Sequence, residues 1–243
     1  MHKTIFLLHL HNVAIFDQLK IEEALLHLNE DNWCIINEGS RPSIVLGISG
    51  DPKKLINLQK FHTAPLPLIK RFSGGGAVVV DDATLFVSFI FQQKMHDFPC
   101  HPEPIFHWSE GFYKEALSIP KFHLREHDYV IGNNKCGGNA QYIKKRRFVH
   151  HSTFLWDYEQ KRMDYLLHPP KSPDYRKART HSNFLCRLKN FCSSKSHFVT
   201  SIKKTLSSRY NVYETSLEEI TPILQTPHRK AASLINIEPY LLH

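Results

Sequence analysis

Cysteine is sparse and unpatterned. The five, Cys34, Cys100, Cys136, Cys186 and Cys192, are odd in number and include no Cys-x-x-Cys pair, which excludes a disulfide framework and a zinc ribbon and favours a reduced, intracellular chain. At 243 residues no such staple is needed, because a chain of this length buries a substantial core without one. Long hydrophobic runs are missing too: nothing approaches the roughly 18 apolar residues of a membrane span. The apolar start Ile5-Phe6-Leu7-Leu8 is interrupted by His9, His11 and Asn12, so it lacks a signal peptide's continuous apolar region. The expectation is a soluble, cytoplasmic protein with no membrane attachment. The 17 histidines show neither His-Glu-x-x-His nor finger spacing, and no metal site is expected. What is present in excess is positive charge, 31 lysines and arginines against 23 acids. That balance favours an anionic partner without choosing among nucleotide, nucleic acid and acidic protein.

Along the chain, the apolar spacing of Ile21 to Asn29 predicts a short helix, and Glu38-Gly39-Ser40 a turn. Ser43 to Gly47 reads as a buried strand, and Asp51-Pro52 as the start of a helix that ends before Pro65. Leu68 to Phe72 leads into a glycine run, after which Ala77 to Val80, the turn at Asp81 to Thr84 and Leu85 to Phe91 read as a hairpin. A helix over Phe106 to Ser118 precedes a strand meander: His127 to Ile131, Lys135 to Ile143 and Phe148 to Trp156, with a basic tip at Lys144 to Arg147. Pro169 to Arg179 is a proline-rich basic loop, and Leu185, Leu188 and Phe191 fall on one face of an expected helix. Ile202 to Ile237 reads as helix, strand, helix. No repeat or linker divides the chain, and one domain over 1–243 is expected.

The chemistry gathers at Gly74-Gly75-Gly76. Three glycines bring no Cβ and allow positive φ, so their N–H groups can converge on an anion or a carbonyl oxygen. No Gly-Lys-Ser/Thr follows, and a strand rather than a helix comes next, which excludes a Walker loop and a dinucleotide fingerprint. A bare triple glycine is more often a turn. Lys70 and Arg71 before it, Asp81 after the strand, and Lys135 beside Gly137-Gly138 raise the reading to a site for a phosphate-bearing ligand.

Lys70-Arg71-Phe72-Ser73-Gly74-Gly75-Gly76-Ala77-Val78 with Asp81 resembles the glycine-loop signature of lipoate-protein ligases. Asp128-Tyr129, Lys135-Cys136-Gly137-Gly138-Asn139-Ala140 and His150-His151-Ser152-Thr153-Phe154-Leu155 follow in the family's order. Pro173-Asp174-Tyr175-Arg176 and His181-Ser182-Asn183-Phe184-Leu185 resemble a subtype found in plants and some bacteria, and the likeness spans about residues 25–190. The resemblance implies an α/β (α+β) fold shared with biotin ligases and class II synthetases, with a mixed, largely antiparallel sheet and flanking helices. It implies lipoate or octanoate activated by ATP, with Mg2+ bound to the nucleotide, and transfer of the acyl group to a lysine of a lipoyl domain. The acceptors would be 2-oxoacid dehydrogenase complexes or the glycine cleavage H protein. The nucleophile belongs to the acceptor, so no Ser-His-Asp triad is expected.

On that reading Lys135 is the catalytic residue, its charge opposing the negative charge that develops at carbonyl and phosphate. Ser73, Gly74, Gly75, Gly76, Lys70, Arg71, Asp81, Asp128, Gly138, Ala140 and His151 form the substrate and ATP site, with Arg71 meeting phosphate. Val45, Val78 and Phe86 are candidates for the wall of an aliphatic channel. Strand alternation places Cys136 on the face opposite Lys135, and lets only one of His150 and His151 face the site.

Lys70 stands where the family has arginine, Val80 where many members have histidine, and His127 where asparagine is usual. The chain beyond the matched region is too short for an ordinary second domain, so activation is expected to involve a separate accessory chain, or the acyl group to come from a preformed adenylate or carrier thioester. A binding module that has lost catalysis is the non-enzymatic alternative. A biotin ligase would require a Gly-Arg-Gly-Arg loop, which is absent.

Overall fold

The structure is a computed structural model that describes residues 3–169 and 172–241. The expected proline-rich loop therefore includes two residues, Pro170 and Lys171, outside the described ones.

Two sheets form the frame. The larger has eight strands in the order β11-β1-β2-β6-β10-β9-β8-β7: β1 Thr4–His11, β2 Trp33–Glu38, β6 Thr84–Gln92, β7 Phe122–Arg125, β8 Asp128–Ile131, β9 Asn134–Lys144, β10 Arg147–Leu155 and β11 Asn211–Thr215. β1 pairs parallel with both its neighbours, and the other pairings are antiparallel, so the expected mixed, largely antiparallel sheet is present. The smaller sheet runs β12-β4-β3-β5, from β3 Ser43–Leu46, β4 Leu68–Lys70, β5 Ala77–Val80 and β12 Ser233–Leu234.

The helices are α1 Ile15–Leu28, α2 Pro52–Leu55, α3 Leu58–Thr63, α4 Pro102–Leu117, α5 Gln160–Met163, α6 His181–Phe184, α7 Lys195–Arg209, α8 Leu217–Gln225 and α9 Glu238–Leu241. β6 is apolar along nearly its whole length because both its faces are covered, as a central strand requires. Leu85, Val87, Phe89 and Phe91 pack under α4 and α7, while Phe86 and Ile90 pack with α1 and the small sheet. Among the described residues no helix is long and apolar enough to cross a membrane.

Several expected boundaries move, each for a non-local reason. α1 starts at Ile15, six residues before the expected Ile21, because Ser40 Oγ accepts the Ile15 N–H at 2.9 Å. The expected hairpin around Asp81 does not form: β5 pairs with β3 in the small sheet and β6 with β2 and β10 in the large one. The turn there carries the chain from one sheet to the other. The helix expected from Pro52 is split where Ile56 bridges Leu166. No helix runs through Leu185 to Phe191; Leu185 bridges Lys135 at the edge of β9, and only a single 3-10 turn follows at Leu188–Asn190. The expected helix, strand, helix of the C-terminal part is present as α7, β11 and α8.

Candidate active site

A cavity of about 330 Å³ lies between the large sheet and the small one. β6, β9 and β10 supply Phe86, Lys135, Gly138, Ala140 and His151. β3 and β5 supply Val45 and Val78, and α1 adds Ile15 and Leu19. Residues 163–169 and 173–185 contribute the outer wall through Leu166, Arg176, His181 and Phe184.

The glycine run is zipped onto the end of β3. Gly47 N donates to Gly76 O at 3.2 Å, Ile48 N to Ser73 O at 2.9 Å, and Arg71 N to Leu46 O at 2.9 Å. The backbones come so close that a Cβ on Gly47 would lie 2.1 Å from Gly75 O. Gly75 itself has φ +105° and Arg71 Nη2 against it, so both positions demand glycine. Arg71 folds back over the loop, with Nε and Nη2 donating to Gly74 O at 3.1 and 2.7 Å. Burial lowers the Arg71 pKa to about 10, which leaves it charged at neutral pH. Among the described residues no carboxylate forms a salt bridge with it, so its charge is available to an anion in the cavity.

Across the cavity, Lys135 Nζ lies 2.7 Å from Asp128 Oδ1. Tyr175 OH donates to Asp128 Oδ2 at 2.8 Å, and burial together with the Asp128 charge pushes that phenol's pKa far up, which keeps it a donor. Gly138 lies beneath this side chain, and a Cβ there would be in ordinary contact with Lys135 Nζ at 3.4 Å. His151 is placed by a buried network: Glu22 Oε1 lies 2.9 Å from its Nδ1 and accepts from Ser88 Oγ at 2.6 Å and Gln18 Nε2 at 2.9 Å. His127 stacks on Phe106 at the cavity wall, with ring centroids 4.9 Å apart.

Of the residues singled out from sequence, Arg71, Gly75, Gly76, Asp128, Lys135, Gly138, Ala140 and His151 line this cavity, as do Val45, Val78 and Phe86. Four do not. Lys70 pairs with Ser233 at the covered edge of the small sheet. Ser73 is buried and gives its carbonyl to Ile48, and the Gly74 carbonyl is taken by Arg71, so these two shape the loop. Asp81 organises a turn, with Oδ1 accepting from Ala83 N at 3.0 Å and Oδ2 from Arg162 at 2.6 Å. Its oxygens are spent away from the ligand space.

Parity along the strands holds. Cys136 points into the opposite core, fully buried, with Sγ 3.4 Å from Tyr129 O and its pKa pushed up by burial. His150 likewise faces away from the cavity, between Tyr129 OH and Gln141.

Arg176, His181, Glu22 and Gly47 were not singled out as site residues. Arg176 is buried on the cavity wall, burial lowers its pKa, and its Nη2 has no hydrogen-bond partner among the described residues. His181 is held near a pKa of about 4, chiefly by burial and then by Arg176. The usable sequence signals were the Pro-Asp-Tyr-Arg segment that carries Arg176 and the His-Ser-Asn-Phe-Leu segment that opens with His181.

Residues 14–214 match the family described as Lipoyl protein ligase A/B catalytic domain. A Plasmodium falciparum (isolate 3D7) protein named inactive lipoate–protein ligase 2 is 28% identical over 235 residues, covering 72% of this chain and 61% of that protein. The chain thus spans less than two thirds of that relative. Among solved structures, lipoate-protein ligase A bound with ATP matches with a TM-score of 0.74 at 15% identity, over 93% of each chain. A bi-partite lipoate protein ligase from Thermoplasma acidophilum, studied with its E2 lipoyl domain, also scores 0.74 at 15% identity, over 93% of this chain and 91% of that one. At these identities the likeness speaks for the fold.

Proposed function

The chain belongs to the lipoyl protein ligase A/B catalytic domain family, and from that premise we propose that it works as one catalytic domain that activates lipoate or octanoate with ATP. The activated acyl group then passes to a lysine of a lipoyl domain. The observation that carries the reading is the mixed lining of a single cavity: Arg71, Lys135 and the glycine loop share it with the apolar Ile15, Leu19, Val45, Val78 and Phe86. An anionic head on an aliphatic tail fits that lining, as an acyl-adenylate would.

In the first step a carboxylate oxygen of the acid attacks the α-phosphorus of ATP and pyrophosphate leaves. On this reading Arg71, held over the loop by Gly74 O, meets phosphate oxygens. In the second step the acceptor's ε-amine attacks the acyl carbonyl and AMP departs. Lys135, fixed by Asp128, stands where charge develops on the carbonyl and phosphate oxygens. Asp128 is the one carboxylate among the described cavity-lining residues, and Lys135 and Tyr175 occupy both its oxygens. The wall therefore offers Mg2+ little, and the metal is best regarded as arriving on the nucleotide's phosphates.

A second reading, transfer from a preformed adenylate or carrier thioester, is favoured by the engagement of Asp128, both of whose oxygens are taken by Lys135 and Tyr175. One assay separates them. Purified protein with ATP, magnesium and lipoate is expected to add a lipoyl mass to an apo lipoyl domain, and Lys135→Met to lower the rate by about a hundredfold or more. An adduct formed only from octanoyl carrier protein or synthetic lipoyl-adenylate moves the assignment to transfer, or to activation that needs an accessory chain. No adduct from any donor sinks both and leaves the binding module.

A further inference from the structure

On the sheet face away from the cavity, the apolar row of β1 ends in two imidazoles. Ile5 and Leu7 point under α4 and α7, and alternation puts His9 and His11 on that same side. In the parallel register with β2, His11 stands beside Glu38. Glu38 Oε1 lies 2.8 Å from His9 Nε2 and 3.4 Å from His11 Nδ1, and the two rings are 4.3 Å apart between centroids. One ligand atom from each of the three residues falls within 4.8 Å of the other two.

We propose that His9, His11 and Glu38 form a binding site for a borderline divalent cation of the zinc class, separate from the acyl-transfer cavity. Two imidazole nitrogens and one carboxylate oxygen are a donor set that suits zinc better than magnesium or calcium, which prefer oxygen alone. Metal–ligand bonds of about 2.0–2.1 Å in tetrahedral geometry require donor atoms about 3.3 Å apart, close to the two contacts to Glu38.

The ligands are also preorganised, since two come from one strand and the third from its hydrogen-bonded neighbour. His9 and Glu38 are largely covered, whereas His11 is 70% exposed on its side chain, leaving room for water to complete the shell. Binding would clamp the ends of β1 and β2, where Asn12 N donates to Glu38 O at 3.1 Å. From there the chain turns into α1, which carries Ile15 and Leu19 to the cavity.

The sequence expectation of no metal site rested on local spacing. The third ligand here comes from the next strand, 27 residues on by number, and is brought in only by strand register.

Untagged protein freed of metal by chelator is titrated with zinc chloride by calorimetry and, in parallel, with cobalt(II) followed by visible absorption. The expected result is saturable binding of one equivalent with tetrahedral cobalt bands, and a rise in Tm with zinc. His11→Asn and Glu38→Gln should each weaken binding about tenfold or more. His11 is exposed, so its variant keeps the fold, and circular dichroism checks both. No saturable binding below millimolar zinc overturns the proposal. So does affinity or stoichiometry that is unchanged in the two variants, which would place the metal on other histidines.

Discussion

Lys135 owes its position to a carboxylate held from far along the chain: Asp128, itself tethered by Tyr175 from the outer wall, pairs with its ammonium. The glycine loop also depends on a residue distant in sequence: Gly47 is needed by Gly75, because a methyl group 2.1 Å from a carbonyl oxygen cannot be accommodated without moving the backbone. Gly74 has open space around its missing Cβ. Gly47→Ala is therefore expected to abolish measurable ATP binding in calorimetry, while Gly74→Ala stays close to wild type. Equal losses in both would show that the loop is sensitive to any side chain, and not to the close approach at Gly47. The three consecutive glycines were conspicuous in sequence, but the one with the tightest contact was the isolated Gly47.

Element by element, the meander of β8, β9 and β10 was legible because strand alternation is written locally. The same rule correctly separated Lys135 from Cys136 and His151 from His150. α1 was legible only in its second half. Its first turn depends on Ser40, and its polar buried residues serve other elements: Glu22 reaches His151 and Glu23 reaches the C-terminal segment. Glu23 Oε1 and Oε2 accept from Ala231 N at 2.7 Å and Ala232 N at 3.2 Å, just before β12 covers Lys70 at the edge of the small sheet. Glu23→Ala should leave the buried Ala232 N and the half-buried Ala231 N unpaired, at a cost of about 1–3 kcal/mol. Limited proteolysis is expected to cut between Thr226 and Ile235 faster in the variant. Cleavage at the wild-type rate would mean that β12 pairing alone holds the segment.

For the molecule as a whole, acid is the expected weakness. His150 is enclosed by a directed chain in which it donates to Tyr129 OH, which donates to Ser109 Oγ, which donates to Phe106 O. The Gln141 amide fills its other nitrogen. Burial, and secondarily His151, lowers its pKa from 6.5 to about 3. Above the unfolded value both states are neutral and nothing is lost. Below it the unfolded chain takes up a proton that the folded chain refuses, so stability falls as pH drops towards 3. The loss is about 1.4 kcal/mol per pH unit, or about 2 kcal/mol by about pH 5. His181, lowered to about 4 by burial, adds in the same direction. Urea midpoints should fall between about pH 7 and pH 5, with a shallower slope in His150→Gln; an unchanged slope would remove His150 as the cause. The sequence by itself determined the order of the motifs, the meander and the parity of its side chains, because periodicity along a strand is a local property. Only the tertiary structure decided that Lys70 and Asp81 leave the cavity, that Arg176 and Glu22 support it, and that Gly47 must be bare. Those outcomes depend on how two sheets, one helix and a long loop pack together, and no spacing within a single segment records that distance.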